Sequence, residues 1–434
     1  MRAADRTATR SRASRAPSGP LRVAFLVYRG NPYCGGQGVY TRHLSRELAA
    51  LGHEVTVFSG QPYPILDDGV RLVPVPSLDL YREPEPFRTP RLRELASPTD
   101  VLELATMWTG GFPEPRTFAR RARAELRGRL GEFDVVHDDQ SLGSGLLGMV
   151  EDGWPVIASI HHPVTVDRRL ELAEARALSR RLSLRRWYGF SRMQSRVARR
   201  LPRILTVSQV AARDIERELG VAPERIAIVP AGIDPERFRP LPAVAPVPGR
   251  IIAVASADVA LKGLAYLLEA LAKLRTERDD AHLVVIGRLR AQSPITPLID
   301  RLGIAGAIEF VSGESDDAIV ERYASASCAV VPSLYEGFSL PAAQAMACGV
   351  PLVATTGGAL PEVVGRDGRC ALLVPPADPS ALASAIGTLL EDRALAHRLA
   401  AAGRERVLER FTWAATARGT AAQYRVVIEQ AASC

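Results

Sequence analysis

Residues 21–60 decide the fold class, and they read LRVAFLVYRGNPYCGGQGVYTRHLSRELAALGHEVTVFSG. The apolar start, Leu21–Val27, has the length of a buried strand, and a glycine-rich loop follows it. Apolar residues then recur at helical spacing from Tyr40, Gly52 supplies the helix stop, and Glu54–Phe58 predicts the next strand. Such a strand–loop–helix–strand unit predicts a parallel sheet covered by helices.

A proline-rich segment, PLPAVAPVPG at 240–249, separates two halves of the chain. Its four prolines remove backbone donors and fix backbone angles, so the segment can continue neither a helix nor a central strand. Beyond it, strands are predicted at Ile251–Val254, His282–Ile286, Ile308–Val311, Cys328–Val331 and Pro351–Ala354. We therefore expect an α/β protein with two doubly wound, Rossmann-like parallel-sheet domains, whose ligands bind in a cleft at the carboxyl ends of the strands.

The chain of 434 residues fits two domains of ordinary size. The predicted parts are a disordered basic tail (1–20), an N-terminal domain (21–240), a linker (241–249), a C-terminal domain (250–412) and a final helix (413–434) that packs back on the first domain. The tail lacks the apolar segment of a secretory signal, so we do not expect one.

The net charge of +7 raises the question of a nucleic-acid partner. The basic residues are concentrated, however, because residues 176–200 alone carry nine arginines and no acid. Neither domain shows basic side chains interleaved with aromatic residues, so we expect no nucleic-acid partner. The five cysteines form no CxxC pair, and no His or Cys cluster has metal-ligand spacing. These features predict a cytoplasmic protein with no metal and no cofactor.

The segment Arg180–Arg200 has two interpretations. Its apolar residues recur at helical spacing, and its arginines occupy another face of the predicted helix; the apolar positions are Phe190, Met193, Val197 and Leu201. An arginine-rich amphipathic helix of this kind can rest on an anionic membrane, which predicts a peripheral contact at the inner face of the membrane. The alternative is a helix that packs on the core and exposes a basic face to water.

The loop after the strand Cys328–Val331 has the features of a sugar and phosphate site. Pro341 suits the first position of a helix, so the amides of residues 338–340 are expected at a helix N-terminus, where N–H groups attract a phosphate. Phosphate binding does not explain the carboxylate of Glu336, because it repels an anion. A neutral polyhydroxyl group bound beside the phosphate does explain it.

These motifs resemble those of the family 4 retaining glycosyltransferases of the GT-B fold, whose donor motif is usually written EGFGLPxxEAMACG. This chain has EGFSLPAAQAMACG at 336–349, together with VVHDDQ (135–140), IASIHHP (157–163), VPAGID (229–234) and TGGALPEVVG (356–365). The resemblance covers nearly the whole chain after the tail, and it implies that 21–240 is the acceptor-side domain and 250–412 the donor-binding domain. It implies transfer of a sugar from a nucleotide-diphosphate donor to a hydroxyl acceptor, which is lipid-linked, a sugar or a small molecule, with retention of configuration and without a metal.

The resemblance also implies a set of site residues. The catalytic candidates are His161, Lys262 and Glu336, and the donor-binding candidates are Gly35, Gly36, Arg288, Gly337, Phe338, Ser339, Leu340 and Gln344. In this assignment Glu336 binds hydroxyl groups of the donor sugar, and His161 approaches the reacting carbon. Lys262 stabilises the charge that develops on the leaving diphosphate.

Two departures from the family pattern matter for donor binding. The second glutamate of the motif is Gln344, which can bind a ribose diol but without charge assistance. The family usually has an arginine five residues before the lysine, and this chain has Ala257 there. We consider Arg288 or Arg290, after the strand ending at Ile286, as a replacement cation. These losses are also compatible with a catalytically silent GT-B protein that binds a partner or a lipid. A further alternative is another GT-B enzyme, such as a sugar-nucleotide epimerase or a phosphorylase.

Overall fold

The computed structural model describes residues 19–31, 36–82, 84–255, 259–290 and 293–433. Within them the chain forms two parallel sheets, each flanked by helices, so the predicted fold class of two doubly wound domains is confirmed. The part of the predicted tail at 1–18 lies outside the described residues.

The N-terminal sheet has the order β3-β2-β1-β4-β5-β6-β7. Its strands are apolar runs because helices cover both faces of the sheet; in RVAFLV at 22–27, five of the six residues are buried. The strands are β1 (Arg22–Val27), β2 (Glu54–Ser59), β3 (Arg71–Pro74), β4 (Val135–Asp139), β5 (Val156–Ser159), β6 (Arg203–Thr206) and β7 (Ile226–Ile228). The helices are α1 (Gly36–Ala50), α2 (Pro98–Trp108), α3 (Glu114–Leu126), α4 (Gly145–Glu151), α5 (Val164–Glu174), α6 (Leu178–Trp187), α7 (Ser191–Ala198) and α8 (Gln209–Asp214).

The C-terminal sheet has the order β10-β9-β8-β11-β12-β13. Its strands are β8 (Arg250–Val254), β9 (His282–Ile286), β10 (Ile308–Val311), β11 (Cys328–Val331), β12 (Leu352–Thr355) and β13 (Leu372–Val374). The helices are α9 (Leu264–Leu274), α10 (Ile295–Leu302), α11 (Asp316–Ala324), α12 (Leu340–Ala347), α13 (Leu360–Val364), α14 (Pro379–Glu391), α15 (Arg393–Arg410) and α16 (Trp413–Ala432).

The last helix, α16, leaves the C-terminal domain and packs along α1 of the N-terminal domain. Tyr424 lies in the middle of this contact, and its hydroxyl is 2.7 Å from Nδ1 of the buried His137 on β4. The two segments that join the domains run side by side, since the amide of Ile233 donates to the carbonyl of Phe411 at 2.7 Å. A Cβ at Gly232 would lie 2.2 Å from the backbone nitrogen of Trp413, so only glycine allows this close approach.

The arginine-rich segment does not form one amphipathic helix, and the apolar stripe of α7 packs on the core, as the second interpretation predicted. Residues 178–198 form two helices, α6 and α7, which are joined by a short 3-10 turn at Tyr188–Phe190. The stripe residues Met193 and Val197 are buried in the core beneath the N-terminal sheet, so that face of α7 is not available to a lipid surface. No helix among the described residues has the length and hydropathy that a membrane span requires.

Candidate active site

The predicted lysine and glutamate lie together in the C-terminal domain. Glu336 is in the loop between β11 and α12, and Lys262 ends a 3-10 turn that follows β8. Nζ of Lys262 is 2.9 and 3.1 Å from the two carboxylate oxygens of Glu336, and the hydroxyl of Ser333 donates to Oε1 at 2.7 Å. The Glu336 carboxylate is therefore fixed in place by two donors, while its residue is only 8% exposed.

The helix that follows Glu336 begins one residue earlier than expected. Leu340 is its first residue and Pro341 its second, with Ser339 as the N-cap. Ser339 has φ 94°, a conformation that favours glycine, and its hydroxyl accepts weakly from the amide of Ala342 at 3.4 Å. The first backbone N–H groups of a helix have no partner within it, so this end of α12 can bind an anion.

Two other donor-binding candidates accompany this helix start. The ring of Phe338 packs edge-on against Phe411 with centroids 5.4 Å apart, so its side chain belongs to the junction of the two domains. Gln344 lies on α12, a little over one turn after the N-cap, and is partly exposed.

His161 follows β5 at the carboxyl edge of the N-terminal sheet. Its Nε2 is 2.8 Å from Oδ1 of Asp139, which is fully buried, and the ring of Tyr40 lies edge-on at 4.5 Å. A Cβ at Gly337 would lie 2.9 Å from the carbonyl oxygen of His161, so the loop with His161 and the loop with Glu336 are in contact across the cleft. The structure thus brings together the histidine, the lysine and the glutamate regions that were predicted separately.

Asp139 and Gln140 also belong to this site, although the sequence motifs did not predict them. Asp139 ends β4, which pairs directly with β5, and the side chain of Gln140 accepts from the amide of His161 at 2.7 Å and donates to the carbonyl of His162 at 3.0 Å. Gln140 has φ 57° and Leu142 has φ 47°, so this loop holds two non-glycine residues in the left-handed region. The signal was present in VVHDDQ, because two polar residues at the end of an apolar strand lie beside the end of the next parallel strand.

Glu362, which was not predicted from the sequence either, connects the two domains. Its carboxylate accepts from the backbone amides of Gln209 and Val210 at 2.8 and 3.0 Å, at the start of α8. A carboxylate at a helix N-terminus satisfies unpaired amides and interacts favourably with the helix dipole. A second cross-domain bond joins the hydroxyl of Ser208 to the carbonyl of Gly337 at 2.6 Å.

The remaining candidates lie at the edges of this site. Gly36 is the first residue of α1, whereas Gly35 lies outside the described residues. Arg288 is exposed and comes two residues after β9, at the carboxyl edge of the C-terminal sheet. Ala257, where the family usually has an arginine, also lies outside the described residues.

Comparisons with known proteins agree with this architecture. The family model Glycosyltransferase Family 4 matches residues 34–237, and the model Glycosyl transferases group 1 matches residues 243–406. Among solved structures, sucrose-phosphate synthase from Thermosynechococcus elongatus superposes with a TM-score of 0.68 at 23% identity, covering 94% of this chain and 98% of that one. The glycosyltransferase WaaG gives a TM-score of 0.67 at 18% identity and covers 91% and 98%. These two likenesses establish the fold.

Relatives of higher identity also match over the whole length. The MMP α-(1→4)-mannosyltransferase of Mycolicibacterium hassiacum is 53% identical over 415 residues, which are 95% of this chain and 100% of that protein. A D-inositol 3-phosphate glycosyltransferase of Catenulispora acidiphila is 31% identical over 94% of this chain and 96% of its own. The chain therefore belongs to glycosyltransferase family 4, and it is a retaining glycosyltransferase with the GT-B fold.

Proposed function

We propose that the protein moves mannose from a nucleoside-diphosphate donor to a 4-hydroxyl group of a methylmannose polysaccharide. The observation that carries the proposal is the 53% identity to a protein named for that linkage and acceptor, over both domains and the cleft between them. The relative named for D-inositol 3-phosphate shares only 31% of its residues with this chain, which favours the polysaccharide over an inositol phosphate as acceptor.

In the proposed mechanism the C-terminal domain stabilises the leaving diphosphate. The ammonium group of Lys262 has three N–H donors, so it can contact a phosphate oxygen while it stays paired with Glu336. The backbone amides of residues 338–340, which lead into α12, add a second source of positive potential beside it. Catalysis follows because both groups are fixed before the reaction and interact more strongly with the charged leaving group than with the intact donor.

The fixed carboxylate of Glu336 is suited to bind hydroxyl groups of the mannosyl residue. Ser333 and Lys262 occupy only part of its accepting capacity, because two carboxylate oxygens offer about four lone-pair sites. His161 approaches the donor from the opposite domain, and its bond to Asp139 fixes the orientation of the ring. With retention, the donor phosphate accepts the proton of the incoming hydroxyl group, so the mechanism requires no separate protein base.

Removal of either member of the Lys262–Glu336 pair tests this mechanism. We expect Lys262→Ala and Glu336→Ala each to lower kcat by about a hundredfold or more, since each removes a group that stabilises the transition state. The matched control is Lys273→Ala, because Lys273 is the other lysine of the chain and its ammonium group donates to the hydroxyl of Ser380 at the surface. Full activity in either site variant, with an unchanged melting temperature, would refute the assignment.

A panel of donors tests the proposed sugar. GDP-mannose, UDP-mannose, UDP-glucose and UDP-N-acetylglucosamine are each incubated with a methylated oligomannoside or with D-inositol 3-phosphate, and release of the nucleoside diphosphate is measured. We expect acceptor-dependent turnover with a mannose donor and the oligomannoside. Turnover with only the inositol phosphate would reject the proposed acceptor. If isothermal titration showed that none of the nucleotide sugars binds, the catalytically silent alternative would be supported instead.

A further inference from the structure

Five aromatic side chains form a connected cluster on the N-terminal domain. The ring of Tyr81 lies 5.3 Å from Phe112, 5.4 Å from Phe87 and 5.9 Å from Trp187, and Phe112 in turn lies 5.2 Å from Trp187 and 5.4 Å from Phe190. We call these five residues the aromatic cluster. Only 6% of the chain is aromatic, so this is a marked local concentration.

The aromatic cluster is not a closed core. Phe87 is 59% exposed, and the other four rings are partly or nearly buried without being fully enclosed. A small buried core of aliphatic side chains lies beneath Tyr81; its members are Leu78, Leu80, Leu104 and Met107. Since these aliphatic residues already hold α2 against the loop after β3, packing alone does not account for the exposed ring of Phe87, whose backbone has φ 66°.

The aromatic cluster lies on the same edge of the sheet as His161. Two residues after Phe112, the buried carboxylate of Glu114 pairs at 3.3 Å with Arg29, which follows the carboxyl end of β1. One turn after Phe190, the side chain of Gln194 donates to the carbonyl of Ser141, which follows β4, at 3.1 Å.

A third connection comes from the loop of His161 itself. This loop leads directly into α5, and Glu171 on α5 accepts a 2.6 Å bond from the hydroxyl of Tyr188, the residue after Trp187. Segments that leave β1, β4 and β5 thus support the cluster and place it at the carboxyl edge of the N-terminal sheet, where His161 lies.

We propose that the aromatic cluster is a subsite for the polysaccharide acceptor, which binds sugar units beyond the one that receives mannose. This inference rests on the proposed function. A mannose ring presents C–H groups on its faces, and an O-methyl group replaces a hydroxyl donor with an apolar methyl. The C–H faces and the O-methyl groups can both pack on partly exposed aromatic rings, because such rings offer a large apolar contact area at low cost in side-chain entropy.

A lipid surface is a less suitable occupant for these rings. The exposed leucines of α6, Leu178 and Leu182, are 70% and 55% exposed and are the residues that a membrane would contact. Leu182 and Trp187 are five residues apart, so they point about 140° away from each other around the helix. The leucines and the aromatic cluster are therefore separate surfaces, and the cluster is the one that lies at the carboxyl edge of the sheet with His161.

The test uses the full-length protein and methylated oligomannosides of two, four and eight units. We expect Phe87→Ala and Trp187→Ala to raise the KM of the longest acceptor about tenfold, which corresponds to the loss of one good apolar contact. The increase should become smaller as the acceptor shortens, and the KM of the donor should not change. Leu92→Ala is the matched control, because Leu92 is 88% exposed and lies outside the aromatic cluster.

Direct titration of the longest oligomannoside separates this inference from the proposed function. Binding that weakens about tenfold in Phe87→Ala supports the subsite even if the wild type transfers no mannose. The inference would be overturned if the oligomannoside did not bind to the wild type. It would also be overturned if Phe87→Ala and Trp187→Ala bound the oligomannoside as tightly as the wild type while both retained the wild-type melting temperature. Weaker binding of these variants to anionic vesicles, with unchanged oligomannoside binding, would assign the cluster to a lipid surface instead.

Discussion

At the scale of single residues, Ser339 departs from the family pattern with a visible structural consequence. The family motif has glycine at this position, whereas here a serine adopts φ 94° and ψ 82°. A side chain in this conformation costs about 1–3 kcal/mol, and the cap bond of 3.4 Å returns little of it. The strain lies at the start of α12, where the donor phosphate is expected to bind.

We therefore expect Ser339→Gly to stabilise the protein by about 1 kcal/mol, because glycine relieves the strain and loses only a few tenths as an N-cap. Ser339→Ala is the matched control, since alanine keeps the Cβ and loses the cap. Chemical denaturation of both variants measures the effect. If Ser339→Ala were as stable as Ser339→Gly, or more stable, backbone strain at this position would be negligible.

A second residue-scale prediction concerns Asp139. In our assignment its carboxylate orients His161, so Asp139→Asn should lower kcat about 10- to 100-fold while donor binding is maintained. Asp167→Asn provides the control, because Asp167 forms a similar 2.9 Å pair with the neighbouring His162. Steady-state kinetics and donor titration distinguish the two. A comparable loss of kcat in Asp139→Asn and Asp167→Asn would mean that the conformation of the loop with His161 and His162, and not the His161–Asp139 pair, determines the rate.

At the scale of helices and strands, α16 depends on a buried neutral histidine. Burial lowers the pKa of His137 to about 3, with a smaller contribution from His161, so the ring stays neutral between Tyr424 and Ser159. In the unfolded chain its pKa is near 6.5. Between these two values the unfolded state binds a proton that the folded state does not, so the stability present above pH 6.5 is lost as the pH falls.

We expect the unfolding free energy of the wild type to fall more steeply with acid than that of His137→Gln, which keeps polar atoms at this position but does not titrate. The difference in slope should approach about 1.4 kcal/mol per pH unit between pH 6 and pH 4. Denaturant titrations at several pH values measure both slopes. Parallel curves would show that His137 does not contribute to acid sensitivity.

The helices and strands also show which parts of the structure the sequence could predict. The predicted strands agree with β8 to β12 to within a residue or so, because buried parallel strands are apolar runs bounded by loops. The stripe of Met193 and Val197 was ambiguous, because a helix that packs on a core and a helix that rests on a membrane have the same periodicity. Only the position of α7 beneath the N-terminal sheet resolves this.

The candidate site was predictable where a local motif defines it. The region of Lys262 and Glu336 could be placed from the resemblance, but their 2.9 Å pair could not, since 74 residues separate them in the chain. Asp139 and Glu362 were missed for a related reason. VVHDDQ marks the polar end of β4, but each residue acts through a partner on another strand or in the other domain, and a single sequence does not identify that partner.

At the scale of the whole molecule, Glu362 joins the domains through the amides at the start of α8. We expect Glu362→Ala to favour a more open arrangement, with a larger radius of gyration in small-angle X-ray scattering and a higher KM for the donor. Glu362→Gln should show a smaller effect, because its amide oxygen still accepts a hydrogen bond but carries no charge. An unchanged radius of gyration and KM in Glu362→Ala would mean that the other cross-domain contacts are sufficient.

We propose that the cleft between the two domains transfers mannose with retention to a 4-hydroxyl group. NMR analysis of the product formed from a mannose donor and a methylated oligomannoside tests this proposal, because it reports the anomeric configuration and the linkage position. We expect one new α-(1→4)-linked mannose in the wild-type product and none with Glu336→Ala. A β-linked product, another linkage position, or the same product from Glu336→Ala would contradict it.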